Sequence, residues 1–172
     1  GSIASQVRAQ PSAGFSIVSW TGTGSLATIG HGLNAAPEFM IVKNRDSAGT
    51  NWCVYHSGLT SPTYALALDT TYHEDSNAPT WNSTAPTSSV FTVNTRGSAN
   101  GSNDDMIGYI FAPVLGYSAM GKYTGNASVD GPFVSLSFRP ALVIIKCSST
   151  SNSYTNWDIN DSARDTYNVA DA

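Results

Sequence analysis

Charge is what this sequence most lacks. Charged side chains make up 12% of its 172 residues, where about 25% is usual. That scarcity excludes a charge-rich disordered chain and a coiled coil, which needs Glu and Lys beside Leu. The net charge of −4 argues against binding nucleic acid through its phosphates. No apolar run approaches the length of a membrane-spanning helix, so no membrane insertion is expected. Cysteine is scarce too. Cys53 and Cys147 are the only two, too few for a disulfide framework, and no CxxC or Cys/His spacing suggests zinc. They read as two buried free thiols, with a single bridge as the alternative. Helical periodicity is also missing, because Gly or Pro interrupts every candidate window.

What fills the space is Ser, Thr, Asn and Gly around a 41% hydrophobic fraction that includes 10% aromatics. Apolar and β-branched residues gather in short runs at 15–20, 39–43, 64–69, 90–93, 106–112, 133–136 and 141–146. Turn-forming clusters at 22–24, 46–49, 97–105, 125–131 and 148–153 separate them. Many short strands punctuated by Gly, Asn and Ser indicate an all-β fold, an antiparallel β-sandwich or jelly roll. Gly22-Thr23-Gly24 lacks the lysine of a phosphate loop and precedes no helix, so it reads as a hairpin turn.

The chain also echoes itself. Gly14-Phe15-Ser16 returns as Gly116-Tyr117-Ser118, and Trp20-Thr21-Gly22 as Tyr123-Thr124-Gly125. Pro37-Glu38-Phe39-Met40-Ile41-Val42-Lys43 returns as Pro140-Ala141-Leu142-Val143-Ile144-Ile145-Lys146. The stretch from Asn51-Trp52 to Ser57 returns from Asn156-Trp157 to Ser162. The offset grows from 102 to 105, which small insertions explain. The pattern divides the chain into a linker or assembly arm at 1–13, a first β unit at 14–115 and a partial second unit at 116–172. Nothing in the second unit matches 64–68, Trp81, 90–93 or 107–111. It should therefore present an open sheet edge after residue 162, completed by further sequence or by a neighbouring chain.

Searches for chemistry return little. His31, His56 and His73 show no HxH or HExxH pairing and read as surface or turn histidines. There is no GxSxG nucleophile elbow. Glu38, Asp69, Glu74 and Asp75 offer carboxylates, but nothing in their spacing sets two of them face to face as a glycosidase requires. Asp104-Asp105 and Asp130-Gly131 could supply calcium oxygens, without EF-hand spacing. Asn82-Ser83-Thr84 and Asn126-Ala127-Ser128 match the glycosylation triplet, as chance allows in so Asn- and Ser-rich a chain. No catalytic residue, metal or cofactor is expected. The better candidates are aromatics beside polar groups, the pattern of a sugar-stacking surface. Trp52 and Trp157 recur and read as architectural. Trp81, in a Pro- and Thr-rich loop, reads as the surface aromatic, with Asn82, Tyr55 and His56 as further glycan-contact candidates.

The strings GFSIVSWTGTG, TIGHGL, AAPEFMIVKNRDSAG, NWCVYHSGL, APTSSVFTV, GYSAMGKYTGNASVDGPFV, FRPALVIIK and DSARDTYNV carry a resemblance. Together they resemble a tandem-repeat β domain of tail-fibre and other structural proteins of bacteriophages, especially marine and cyanobacterial ones. The resemblance implies a virion surface component, a tail-fibre or appendage module contributing to host-surface attachment, with no enzymatic activity. It implies homo-oligomers, trimers above all, or contacts with other virion proteins, and it brings no family binding residues with it. Two other readings stand beside it: a carbohydrate-binding receptor module that contacts a host surface glycan, and a capsid decoration or structural spacer protein.

Overall fold

The computed structural model describes residues 1–76, 80–150 and 155–164. Part of the 148–153 turn cluster and the end of the DSARDTYNV string fall outside these. The described chain is mostly β, in antiparallel sheets, as the alternation of short apolar runs and turn residues predicts. No closed barrel forms among the described residues.

The largest sheet has six strands. In chain order they are β1 (Gln6–Gln10), β2 (Phe15–Thr21), β4 (Phe39–Asn44), β5 (Cys53–His56), β6 (Leu66–Ala67) and β8 (Asp105–Phe111). Across the sheet they run β1-β2-β8-β4-β5-β6. β8 therefore threads between β2 and β4, although it comes late in the sequence. A second sheet pairs β3 (Ala27–Gly30) with β7 (Val90–Val93), and a third pairs β9 (Leu142–Lys146) with β10 (Trp157–Asp161). One helical turn, α1 (Gly97–Asn100), precedes β8.

The core forms where one face of the six-stranded sheet meets β3 and β7. Alternate residues of β2, β4 and β8 turn inward: Val18 and Trp20, Met40 and Val42, Met106 and Ile110. From the other side come Ile29, Phe91 and Val93, with the Trp20 and Phe91 rings edge to face at 5.6 Å. Each such side chain contributes roughly 1.5–3 kcal/mol on burial, so this face drives the fold. The opposite face is only half covered. It carries a row of rings across four strands, Phe15 on Phe111 at 4.8 Å, Phe111 beside Phe39 at 5.5 Å, and Phe39 beside His56 at 6.1 Å. Strand register alone puts them side by side, because Phe15, Phe111, Phe39 and His56 are successive cross-strand partners.

Several sequence expectations are corrected. Residues 6–10, read as part of a linker or arm, form edge strand β1 along β2, and Ile3 packs on the core. A run with few apolar residues still pairs when a neighbour offers a free edge. Gly22-Thr23-Gly24 is not a hairpin turn, because β2 and β3 lie in different sheets. It is pinned by the buried Asn100, which accepts from the Thr23 N–H at 3.0 Å on its side chain and from the Gly24 N–H at 2.9 Å on its carbonyl. The Asn100 amide also donates to the carbonyls of Ser25 and Asn94. Residues 133–136 form no strand, and Phe133 is 93% exposed. Among the described residues no strand pairs with them, and propensity alone does not hold an isolated strand.

The two cysteines differ. Cys53 is buried against Ser98, with Sγ and Oγ 3.0 Å apart, whereas Cys147 is exposed, and neither is bridged. His31 is not a surface residue but fully buried, while His73 is exposed.

Candidate functional site

The four glycan candidates do not share a surface. Trp81 is 1% exposed and sits in the core, edge to face with Tyr55 at 6.0 Å. Its loop folds inward and buries the ring in the same core cluster as Tyr55 and Phe91. A ring with both faces covered cannot stack on a sugar, so the expectation of a surface aromatic at Trp81 is corrected. Tyr55 is buried beside it. Its hydroxyl pKa is pushed up by burial first and by the Glu38 carboxylate second. Asn82 accepts from the Asn94 side chain at 2.9 Å. His56, next to Tyr55 in the same strand, points to the other face of the sheet. There its ring nitrogen Nδ1 accepts the Gly58 N–H at 2.8 Å, and burial lowers its pKa.

Trp52 does line open space. It lies just before β5, opposite Lys43 of β4, and its ring stacks on Tyr109 of β8 with centroids 6.5 Å apart and planes 22° apart. The strand order β5-β4-β8 brings together two residues 57 positions apart. The pair walls a hollow of about 500 Å³, which Lys43, Arg45, Thr50 and Asp69 also line. Lys43 is clasped by its own loop, donating to the Thr50 carbonyl and, at 3.3–3.4 Å, to Thr50 Oγ1 and the Ser47 carbonyl. Asp69 accepts the Trp52 backbone N–H at 3.3 Å. Arg45 lies 3.9 Å from Asp105, both exposed, so this pair adds little stability. The set combines apolar ring faces with one carboxylate, two cations and the hydroxyls of Thr50 and Tyr109. Such a set suits a neutral polar ligand or a polypeptide backbone.

Buried Asn44 supports the hollow from beneath. It accepts the N–H groups of Asp46 and Ser47 at 3.0 Å and donates to Gly97 O at 2.9 Å and Asp104 Oδ2 at 2.7 Å. Asp104, a calcium candidate by sequence, thus has a structural partner. No group of three or more His, Cys, Asp or Glu residues is arranged to hold a metal among the described residues. No helix among the described residues is long and apolar enough to cross a membrane.

The hollow is not legible in the sequence, where Trp52 and Trp157 both look architectural. Trp157 does act as an anchor, its indole N–H donating to the Ala67 carbonyl at 3.0 Å. Its counterpart Trp52 does not. The signal available in the sequence was an Asn-Trp pair with Lys43 and Thr50 nearby. Tyr109 could not have been added without the strand order.

The architecture is that of a β-rich protein. Over residues 1–172 it matches the family described as a domain of unknown function, DUF7483, and it belongs to that family. No curated protein and no solved structure matches it.

Proposed function

We propose that this chain is a bacteriophage virion structural module of the tail-fibre or appendage kind. It is built as a β-sandwich from one full and one partial repeat unit, and contributes to host-surface attachment without catalysing a reaction. It works on the particle surface, as a homo-oligomer or against other virion proteins. The phage-like sequence strings suggest the role.

The observation that carries the repeat architecture is the likeness of two hairpins. In β4–β5, Phe39 pairs with His56; at the corresponding place in β9–β10, Leu142 pairs with Asp161. Ser57 N–H donates to Glu38 O at 2.8 Å, and Ser162 N–H to Ala141 O at 2.9 Å. Lys43 is clasped by the Thr50 carbonyl, and Lys146 by that of Thr155. Register, closing bond and lysine clasp all recur on the residues the sequence alignment equates. Among the described residues, the second hairpin has no counterparts of the strands that cover the first. Val143 is 37% exposed where Met40 is 1%. Such a unit suits an assembly whose surfaces are completed by contact, as a fibre's are.

Cryo-electron microscopy of a phage particle encoding the chain tests this reading. The expected result is the chain seated in a tail fibre or appendage with its copies related by symmetry. Its absence from the particle would overturn the reading, and a regular array on the head would favour the decoration or spacer role. The stacked Trp52 and Tyr109 rings beside Asp69 favour a second reading, a carbohydrate-binding receptor module. Glycan-array binding that Trp52→Ala removes would support it.

A further inference from the structure

The β9–β10 hairpin is held to the six-stranded sheet at one end and open at the other. At the held end Trp157 Nε1 donates to Ala67 O at 3.0 Å, and Lys146 Nζ to Thr71 O at 3.1 Å. At the open end Leu142 is 56%, Ile144 43% and Ile159 52% exposed. Ile144 pairs with Ile159 and Leu142 with Asp161 across the hairpin, so the three apolar side chains share one face. Phe133, Val134 and Leu136, just upstream, are exposed as well. Among the described residues of 1–112, the exposed large apolar side chains are only Ile17, Leu26 and Tyr72.

No strand among the described residues pairs with the outer edge of β9. One bond fixes which backbone groups point there. Ser162 N–H donates to Ala141 O at 2.9 Å. Ala141, Val143 and Ile145 therefore turn their N–H and C=O toward β10, and Leu142, Ile144 and Lys146 turn theirs outward. Other edge strands carry charge along their length, Arg8 in the middle of β1 and Asp158 and Asp161 on β10. Charged side chains keep an edge from pairing. β9 runs Leu142-Val143-Ile144-Ile145 before its first charge, Lys146, which is bent back to Thr71. An apolar edge left without charge, beside a charged edge on the same hairpin, is one that is paired in the working protein.

We propose that a second copy of this chain pairs with it, β9 against β9, antiparallel about a two-fold axis at Ile144. The register is self-complementary. Ile144 faces Ile144 of the copy and Leu142 faces Lys146 of the copy, so every outward N–H meets an outward C=O. Ile159 and Ile144 of both copies then form one row across four strands. The new sheet ends on β10 at each side, where the aspartates stop further addition, so the pair is closed. The exposed apolar side chains of β9, β10 and 133–136 present on the order of 600 Å², against the ~800 Å² that each partner gives to a standard interface. The paired backbone supplies the rest. This contact gives the homo-oligomer reading above its surface and rests on that reading.

Analytical ultracentrifugation of the full chain at about 0.1 mM should give twice the mass of one chain. Ile144→Lys sets two cations face to face on the axis and should raise the dissociation constant at least about tenfold. An unmoved Trp157 indole signal in the amide NMR spectrum shows that the hairpin of this variant stays in place. Ile144→Cys in a Cys147→Ser background reads the register. Its two Cα atoms face each other about 5.5 Å apart, within disulfide reach, so mild oxidation should link copy to copy. Ile159→Cys in the same background lies about 14 Å from its mate, three strand spacings away, and should not link. A chain that stays monomeric overturns both the contact and the homo-oligomer reading. A trimer, a dimer that Ile144→Lys leaves intact, a dimer in which Ile144→Cys fails to link or Ile159→Cys links instead, or β9 found paired with a different virion protein overturns the contact alone.

Discussion

The indole N–H of Trp157 donates to the carbonyl of Ala67 at 3.0 Å, across 90 residues of sequence. This bond ties β9–β10 to the six-stranded sheet, together with the Glu74 N–H to Ser148 O bond at 3.0 Å. Trp157→Phe removes the bond and keeps most of the ring contact, at a cost of about 1 kcal/mol. Hydrogen exchange is the direct readout. Amides of β9 and β10 should lose protection in the variant, while those of β2 and β8 keep theirs.

His31 is buried with both ring nitrogens used. Nδ1 accepts the Leu33 N–H at 3.3 Å, so Nε2 carries the proton and donates to Thr87 O at 3.1 Å. Burial lowers the pKa, more than the Thr87 carbonyl raises it. The folded state therefore binds this proton less readily than the unfolded chain. The stabilising contribution is present above the ordinary histidine pKa of about 6.5 and is lost as pH falls through the lower folded value. His56, also lowered by burial, adds a contribution of the same sign. Urea midpoints should fall between pH 7 and pH 5, and His31→Gln should flatten that slope. A slope unchanged in the variant would remove His31 as its source.

Cys147 and Cys53 should differ sharply in reactivity. Hydrogen bonds from Thr150, then from the Ser149 backbone, lower the Cys147 thiol to about 7. Burial raises the Cys53 thiol, only partly offset by Ser98. Because the thiolate is the nucleophile, iodoacetamide at pH 7.5 should label Cys147 first and Cys53 only on unfolding. The Cys147 rate should rise with a midpoint near 7. Mass spectrometry of the two tryptic peptides measures both.

Gly22 has no room for a side chain. A Cβ there would sit 2.0 Å from the carbonyl oxygen of Gly101, a backbone atom that cannot step aside. The same contact region holds the Gly22 N–H to Asp104 O bond at 2.8 Å. Gly22→Ala should cost more than about 2 kcal/mol, seen as a lower thermal midpoint. Gly49→Ala, with nothing within 4 Å of its Cβ, should stay within about 0.5 kcal/mol and serves as the control.

Much of the fold was legible because strand signals are local. Phe15 to Trp20, Phe39 to Lys43, Val90 to Val93 and Leu142 to Lys146 all lie in strands. The misreadings arose where a neighbour decided the outcome. Residues 133–136 have strand composition and no partner, while Gln6–Gln10 has weak composition and a ready partner in β2. Trp81 looked like a surface ring because its loop is polar, yet the sheet draws it inside. Of the candidate site, Lys43, Arg45, Thr50 and Trp52 stood close together in sequence, whereas Asp69 and Tyr109 did not.

The sequence by itself determined the β-rich class of fold and the positions of most strands. Those follow from side-chain pattern, which is a property of neighbours along the chain. The tertiary structure alone decided which of Trp52 and Trp157 is anchored and which faces open space. That depends on β8 threading between β2 and β4, which brings Tyr109 under Trp52, and on Ala67 and Thr71 lying where Trp157 and Lys146 can reach them. Such contacts join residues far apart in the chain, and only the folded sheet brings them within bonding distance.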